Sequence, residues 1–226
     1  MIFRSGVFSR RDGIGEAQFG EHWYKVHGHL ASFMPGVHRY VQNHIRERLF
    51  EVRPFPDHEV GGISQQWFDD IAAMERCERS PEYAAVKRDI PNFQGAITIL
   101  VLAGETVFGT PPVPEKGVPP GGPAHKLLVL ARRRPGVPAD RRPQTLAQAD
   151  DGPLACVQNV VVDNGHPVSA NVPSGQVPVE AMAELFFRDE AQLRAWVASP
   201  AGQAFVHQDP AYEPLAVYAV NAVRVM

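Results

Sequence analysis

The side chains with the most chemistry to offer lie in two short stretches. The first is His22-Trp23-Tyr24-Lys25-Val26-His27-Gly28-His29. On a helix, at ~100° per residue, His27 sits next to Trp23 and beside an apolar stripe of Phe19, Trp23, Val26 and Leu30, while His22 and His29 turn away toward solvent. An imidazole on the border of core and cavity can be tuned to transfer a proton near neutral pH. It can equally be a structural histidine that hydrogen-bonds across the helix end, and the residues alone leave both readings open.

The second stretch is His38-Arg39-Tyr40-Val41-Gln42-Asn43-His44-Ile45. Strand alternation puts His38, Tyr40, Gln42 and His44 on one face, and Val41 and Ile45 on the other, toward the helices. A face of Tyr, Gln and His is either solvated or lines a polar pocket; closure of the sheet into a barrel would turn it inward and favour the pocket. Neither stretch holds an HExxH pattern or a carboxylate at ligand spacing, so no metal site is expected. The sequence also lacks a GxSxG elbow, a phosphate-binding glycine loop and a dinucleotide fingerprint.

Two copies of one unit must position these groups. Val41-Gln42-Asn43 returns as Val157-Gln158-Asn159, and Trp67-Phe68-Asp69-Asp70 is echoed by Phe186-Phe187-Arg188-Asp189. Ser80-Pro81 returns as Ser199-Pro200, and Val86-Lys87-Arg88-Asp89 as Val206-His207-Gln208-Asp209. The matches keep their order and fall at the same places in the pattern of elements, so the chain reads as a tandem duplication.

The first copy has the order β-α-β-β-α-β. Strands are expected at Ile2–Phe8, Val37–Ile45, Ile63–Phe68 and Ala96–Leu102, with a helix over Glu16–Leu30. Asp69 or Asp70 can cap a helix carrying Ile71 and Met74 inward, and Ser80-Pro81 starts another helical turn. The second copy repeats the pattern as Lys126–Ala131, Ala155–Val162, Glu184–Phe187, Glu190–Val206 and Val217–Val225. Its first helix is missing, because Pro138 to Asp151 is short, contains Pro143 and has no Trp or His. Between the copies, PPVPEKGVPPGGP denies backbone donors and fixes φ, which makes an extended linker. The expected division is 1–103, a linker at 104–124, and a degenerate second copy at 125–226.

That order is the ferredoxin-like arrangement, an antiparallel sheet with its helices on one face. The bare apolar face needs cover. The expected fold class is therefore α+β: two ferredoxin-like repeats whose sheets pack face to face as a dimeric α+β barrel within one chain.

Bulk composition sets the outer limits. The chain is 44% hydrophobic and 21% charged, with formal net charge -3, which argues against nucleic acid as a partner. Arg132-Arg133-Arg134 reads as a solvated strand end. The two cysteines, Cys77 and Cys156, do not occupy equivalent places in the copies and fit a reducing compartment. Met1–Ser5 is too short an apolar stretch for a signal peptide, and no run of ~18 apolar residues would span a membrane. A cytoplasmic location is expected.

Phe19-Gly20-Glu21-His22-Trp23-Tyr24-Lys25-Val26-His27, followed by Pro35-Gly36-Val37-His38-Arg39-Tyr40-Val41-Gln42-Asn43, resembles the EthD family, which carries an F-x-x-x-W-x-x-x-H helix and then a v-x-x-Y strand. Gly61–Asp70, Ser80-Pro81-Glu82-Tyr83 and Asp89 look like its later elements. The resemblance implies a dimeric α+β barrel, and relatives that include cofactor-free lactone methylisomerases and polyketide dehydratases or decarboxylases. The family takes its name from an ether-degrading oxidative pathway. The expected function is thus a cofactor-independent lyase or isomerase acting on a small carbonyl or lactone compound in the barrel cavity. His27, Tyr40 and His44 would be catalytic; Trp23, Gln42, Trp67 and His38 would bind substrate. Alternatives are an accessory or binding protein of an oxygenase pathway, and a haem-dependent oxidoreductase with His207 as axial ligand. The internal pseudo-dimer is compatible with a monomer or a homodimer.

Overall fold

The computed structural model describes residues 1–52, 58–167, 170 and 172–226. The first copy begins with β1 (Ile2–Arg10). A helical segment follows, made of α1 (Glu16–His22), a π-helical turn (Trp23–His27) and α2 (Gly28–Ala31). Then come β2 (Arg39–Glu51), β3 (Gly62–Phe68), α3 (Ile71–Glu78), α4 (Pro81–Asp89) and β4 (Gln94–Phe108). The second copy is β5 (Lys126–Arg133), β6 (Ala155–Asp163), β7 (Ala181–Phe186), α5 (Glu190–Ala198), α6 (Pro200–His207) and β8 (Tyr212–Arg224). No helix stands between β5 and β6. No helix among the described residues is long and apolar enough to cross a membrane.

Helix starts follow the capping chemistry of the repeat. The Asp70 side chain accepts from the Ala73 amide at 2.7 Å and Ser80 Oγ from the Tyr83 amide at 3.1 Å. In the second copy Asp189 accepts from Gln192 and Ser199 from Gly202 in the same manner. Pro81 and Pro200 occupy the first helical turn, where a missing amide costs nothing.

Each copy forms an antiparallel sheet with the ferredoxin-like strand order, β4-β1-β3-β2 and β8-β5-β7-β6. The sheets are joined along both edges: β2 pairs with β8 and β4 with β6, giving one closed eight-stranded barrel. Long strand arms make these seams. β4 runs on to Phe108, pairing Gly104 with Asn159 and Thr106 with Val157, so the start of the segment expected as linker is strand.

Side chains from both copies fill the lumen. Phe3, Val7, Ile63, Leu100 and Leu102 meet Leu128, Leu130, Met182, Leu215 and Val220 there. An eight-stranded barrel is just wide enough for such packing. The second apolar layer lies outside the barrel, under the helices: Tyr40, Phe68, Met74, Cys77, Tyr83 and Val86 in one copy, Leu185, Leu193, Trp196 and Val206 in the other. Both cysteines are buried free thiols, and burial pushes them up to about 11 for Cys77 and about 12 for Cys156.

The alternation along β2 is as expected, with its sense reversed. Val41 and Ile45 turn toward the lumen, and Tyr40, Gln42 and His44 turn outward, beneath the helical segment. The polar face therefore does not line a barrel cavity. Apolar side chains from two copies already fill the narrow lumen, whereas the helix above offers hydrogen-bond partners.

Candidate active site

The helical segment over the sheet is not a plain α-helix. Gly28 donates its amide to Trp23 O, an i→i−5 bond that opens the helix into a π turn. Gln42 Nε2 donates to the same carbonyl at 2.7 Å. Such turns recur at functional sites because they re-aim side chains. Here Val26, expected on the buried stripe, is 44% exposed, while His27 is 6% exposed and lies under the helix.

His27 Nδ1 is 3.1 Å from Asp89 Oδ2 at the end of α4. His22, expected in solvent, bonds the other oxygen, Nε2 to Oδ1 at 2.9 Å, and Asn92 Nδ2 donates to Oδ1 as well. Burial would raise the Asp89 carboxyl, but the hydrogen bonds from His27, Asn92 and His22 outweigh it and hold it at about 2. Burial lowers His27 more than the neighbouring carboxylate raises it, so the ring is neutral with its proton on Nδ1. That leaves Nε2 as a free base, without a hydrogen-bond partner among the described residues.

Tyr40 Oη accepts from Trp23 Nε1 at 2.9 Å and from Gln42 Nε2 at 3.3 Å. An indole N–H can only donate, so the Tyr40 proton remains available to a third group. Burial pushes the phenol up to about 12, which keeps that proton in place at neutral pH. Trp23, His27 and Tyr40 border one cavity of ≈ 30 Å³ between the helices and the sheet.

The remaining expected residues scatter. His44 sits beside this cluster, its Nε2 3.1 Å from Gln42 Oε1 and its ring centroid 4.5 Å from that of Trp23. Burial and then Arg46 push it down to about 3, so it is a neutral donor to Gln42. Gln42 supports Trp23 and Tyr40 from behind. His38 is on the surface with Asp69 at 2.8 Å. Trp67 faces the lumen, against Phe3 and Arg39. His207 is exposed and edge-on to Phe50. The ≈ 30 Å³ space next to His27 does not fit a haem.

Several cavity residues were missed from sequence. Arg4 is buried, donating through Nη2 to Tyr83 Oη at 2.7 Å and through Nε to Glu78 at 3.0 Å. Ser64, Gln66 and Gln94 add to the polar wall, and Gln94 Nε2 is a buried donor with no partner among the described residues. Asp89 was visible as a repeated position, and Arg4 as the one charge within the expected strand Ile2–Phe8.

The second copy keeps the frame without the chemistry. Gln158, the counterpart of Gln42, donates to Gln144 O, and Asp209, the counterpart of Asp89, accepts from the Gln144 amide at 2.7 Å. A stretch of irregular chain thus stands where the helix would be, with neither Trp nor His.

Residues 11–95 match the EthD domain. No curated protein matches the chain in sequence. Among solved structures, an anthrone oxidase-like protein is similar over 99% of this chain and 93% of its own, at 12% identity and a TM-score of 0.57. A monooxygenase-like protein from Fusobacterium nucleatum covers 98% and 93% respectively, at 9% identity and a TM-score of 0.53. An EthD family protein from Bacillus halodurans covers 45% of this chain and 95% of its own, at 18% identity and a TM-score of 0.36. The two whole-chain matches share the fold.

Proposed function

Taking residues 11–95 as an EthD domain, we propose that the chain is a small-molecule enzyme that transfers a proton without a cofactor, as an isomerase or lyase on a carbonyl or lactone compound. The observation that carries this reading is the His27–Asp89 pair. An Nδ1–H donated to Asp89 leaves Nε2 unprotonated, and His27 lines the cavity shared with Tyr40. His27 Nε2 would take a proton from the carbon next to the substrate carbonyl. The enolate oxygen so formed would accept the Tyr40 O–H, and Asp89 would steady the imidazolium. Returning the proton to another carbon of the same molecule completes an isomerisation; delivering it to a leaving oxygen completes an elimination. Arg4 and Gln94 would hold further substrate oxygens.

The cavity of ≈ 30 Å³ has room for a water or two. Substrate would therefore have to push Val86 and Ile90 off the cavity wall. That small volume also favours a second reading, an accessory or binding protein with a structural His27–Asp89 pair. A panel of small lactones and aryl ketones distinguishes the two by turnover or by solvent deuterium uptake at the α-carbon. On the enzyme reading one member exchanges or turns over, and His27→Ala slows it by about 10²–10⁴. Unchanged rates in that variant would sink the mechanism, and no exchange anywhere on the panel would favour the accessory role.

A further inference from the structure

We propose a second binding site, at the open end of the barrel beside Arg39, for a small carboxylate with an apolar body. The site is separate from the His27 cavity: Arg39 and Tyr40 are neighbours on β2 and face opposite sides of the sheet.

The space there is ≈ 340 Å³, bounded by both copies and by prolines of the connecting segment, such as Pro111 and Pro112. That volume is within the range of small-ligand sites, roughly 300–1,000 Å³. Its floor is a buried polar network. Lys126 Nζ contacts Glu184 Oε2 at 2.6 Å and donates to Asn43 Oδ1 and Gln65 Oε1 at 3.0 Å each; Asn159 Nδ2 donates to Glu184 Oε1 at 2.9 Å. Lys126 has three donors and all three are in use, so its ammonium has little left to offer an incoming anion.

Arg39 is different. Its guanidinium carbon lies 3.7 Å from the centroid of the Trp67 ring. A guanidinium packed on a ring face keeps its N–H edge available, and such an edge takes a carboxylate in bidentate fashion. Its Nε is buried without a hydrogen-bond partner, and no carboxylate forms an ion pair with it among the described residues. The acid that acts on it electrostatically, Glu184, is committed to Lys126 and Asn159. Burial and the nearby Arg224 both disfavour the charge on Arg39, and a bound carboxylate would relieve this. Trp67, Phe3, Val157 and Phe186 give the apolar wall. An inorganic oxyanion would leave that wall unused.

The test uses the full chain and benzoate, with benzamide as the neutral counterpart, followed by tryptophan fluorescence and by equilibrium dialysis. Saturable benzoate binding is expected, at least about tenfold tighter than benzamide, as the charged contact requires. Arg39→Gln should weaken it at least about tenfold, Arg39→Lys by less, and His27→Ala should leave it unchanged. Labelling of Arg39 by phenylglyoxal, located by peptide mapping, should slow when benzoate is present; this holds the test together if Arg39→Gln fails to fold. Absence of saturable binding, equal affinity for benzamide, or labelling of Arg39 indifferent to benzoate would overturn the proposal. Loss of binding in His27→Ala with Arg39→Gln unaffected would do the same, by placing the carboxylate in the other cavity.

Discussion

Asp89 and Asp209 occupy the same position in the two copies and hold unlike groups. Asp89 receives His22, His27 and Asn92. Asp209 receives the backbone amides of Gln144, Ala211 and Tyr212. One carboxylate orients an imidazole; the other knits together the loop that replaces the missing helix.

This contrast defines the first prediction. Asp89→Asn replaces an acceptor-only group with one that can donate, which permits the His27 proton to move to Nε2 and disarms the base. Nitrogen-15 NMR of the His27 ring should report the exchanged tautomer, with turnover of any substrate falling about 10²–10⁴. Asp209→Asn should leave the His27 ring as it is.

The second concerns acid. His44 is held at about 3 in the folded chain by burial, with a further contribution from Arg46, against 6.5 for the free group. The unfolded chain therefore binds more protons between these values. Stability from this group is complete above pH ~6.5 and is lost as pH falls toward ~3. His27, also lowered by burial, acts in the same direction. A shift of the His44 size is worth on the order of 5 kcal/mol at full depth. His44→Val, which copies Val160 of the second repeat, should flatten the dependence of the urea midpoint on pH in that window.

Breaking the ion pair inside the barrel is the third. Burial alone would raise the Glu184 carboxyl; the Lys126 ammonium at 2.6 Å outweighs it and holds it low. Lys126→Met strands a buried carboxylate and should cost about 3–5 kcal/mol in urea unfolding. Adding Glu184→Gln should recover much of that loss, since the desolvation cost of the charge disappears with it.

A fourth tests the seat of Trp23. A Cβ at Gly62 would lie 2.6 Å from Trp23 Cζ3 and 3.4 Å from Phe19 Cζ. Gly62→Ala should therefore push the indole away, weaken the Trp23–Tyr40 bond and destabilise the chain by about 1–3 kcal/mol. The measurements are urea unfolding and the emission wavelength of Trp23.

The architecture was legible because each copy repeats its own punctuation. Asp70 and Asp189, and Ser80-Pro81 and Ser199-Pro200, cap equivalent helices and mark the strand ends between them. The sense of β2 was not legible. Alternation separates Tyr40 from Val41, but with both faces of the strand buried it cannot tell which is lumen. The π turn was invisible for a related reason: its i→i−5 bond is stabilised by Gln42, a residue of the next strand. The W-x-x-x-H pattern pointed to Trp23 and His27, whereas Asp89, Arg4 and Gln94 join them through contacts remote in sequence.

Both seams of the barrel, β2 with β8 and β4 with β6, are made within one polypeptide. Dilution cannot separate the halves, so the barrel's stability carries no dependence on protein concentration of the kind a two-chain barrel shows. Closure also leaves no whole strand of the barrel as a free edge among the described residues, the kind of edge that invites foreign pairing. Tethering also frees the repeats from obeying the same selection. One could shed its helix and histidines while still supplying the wall that its sibling leans on.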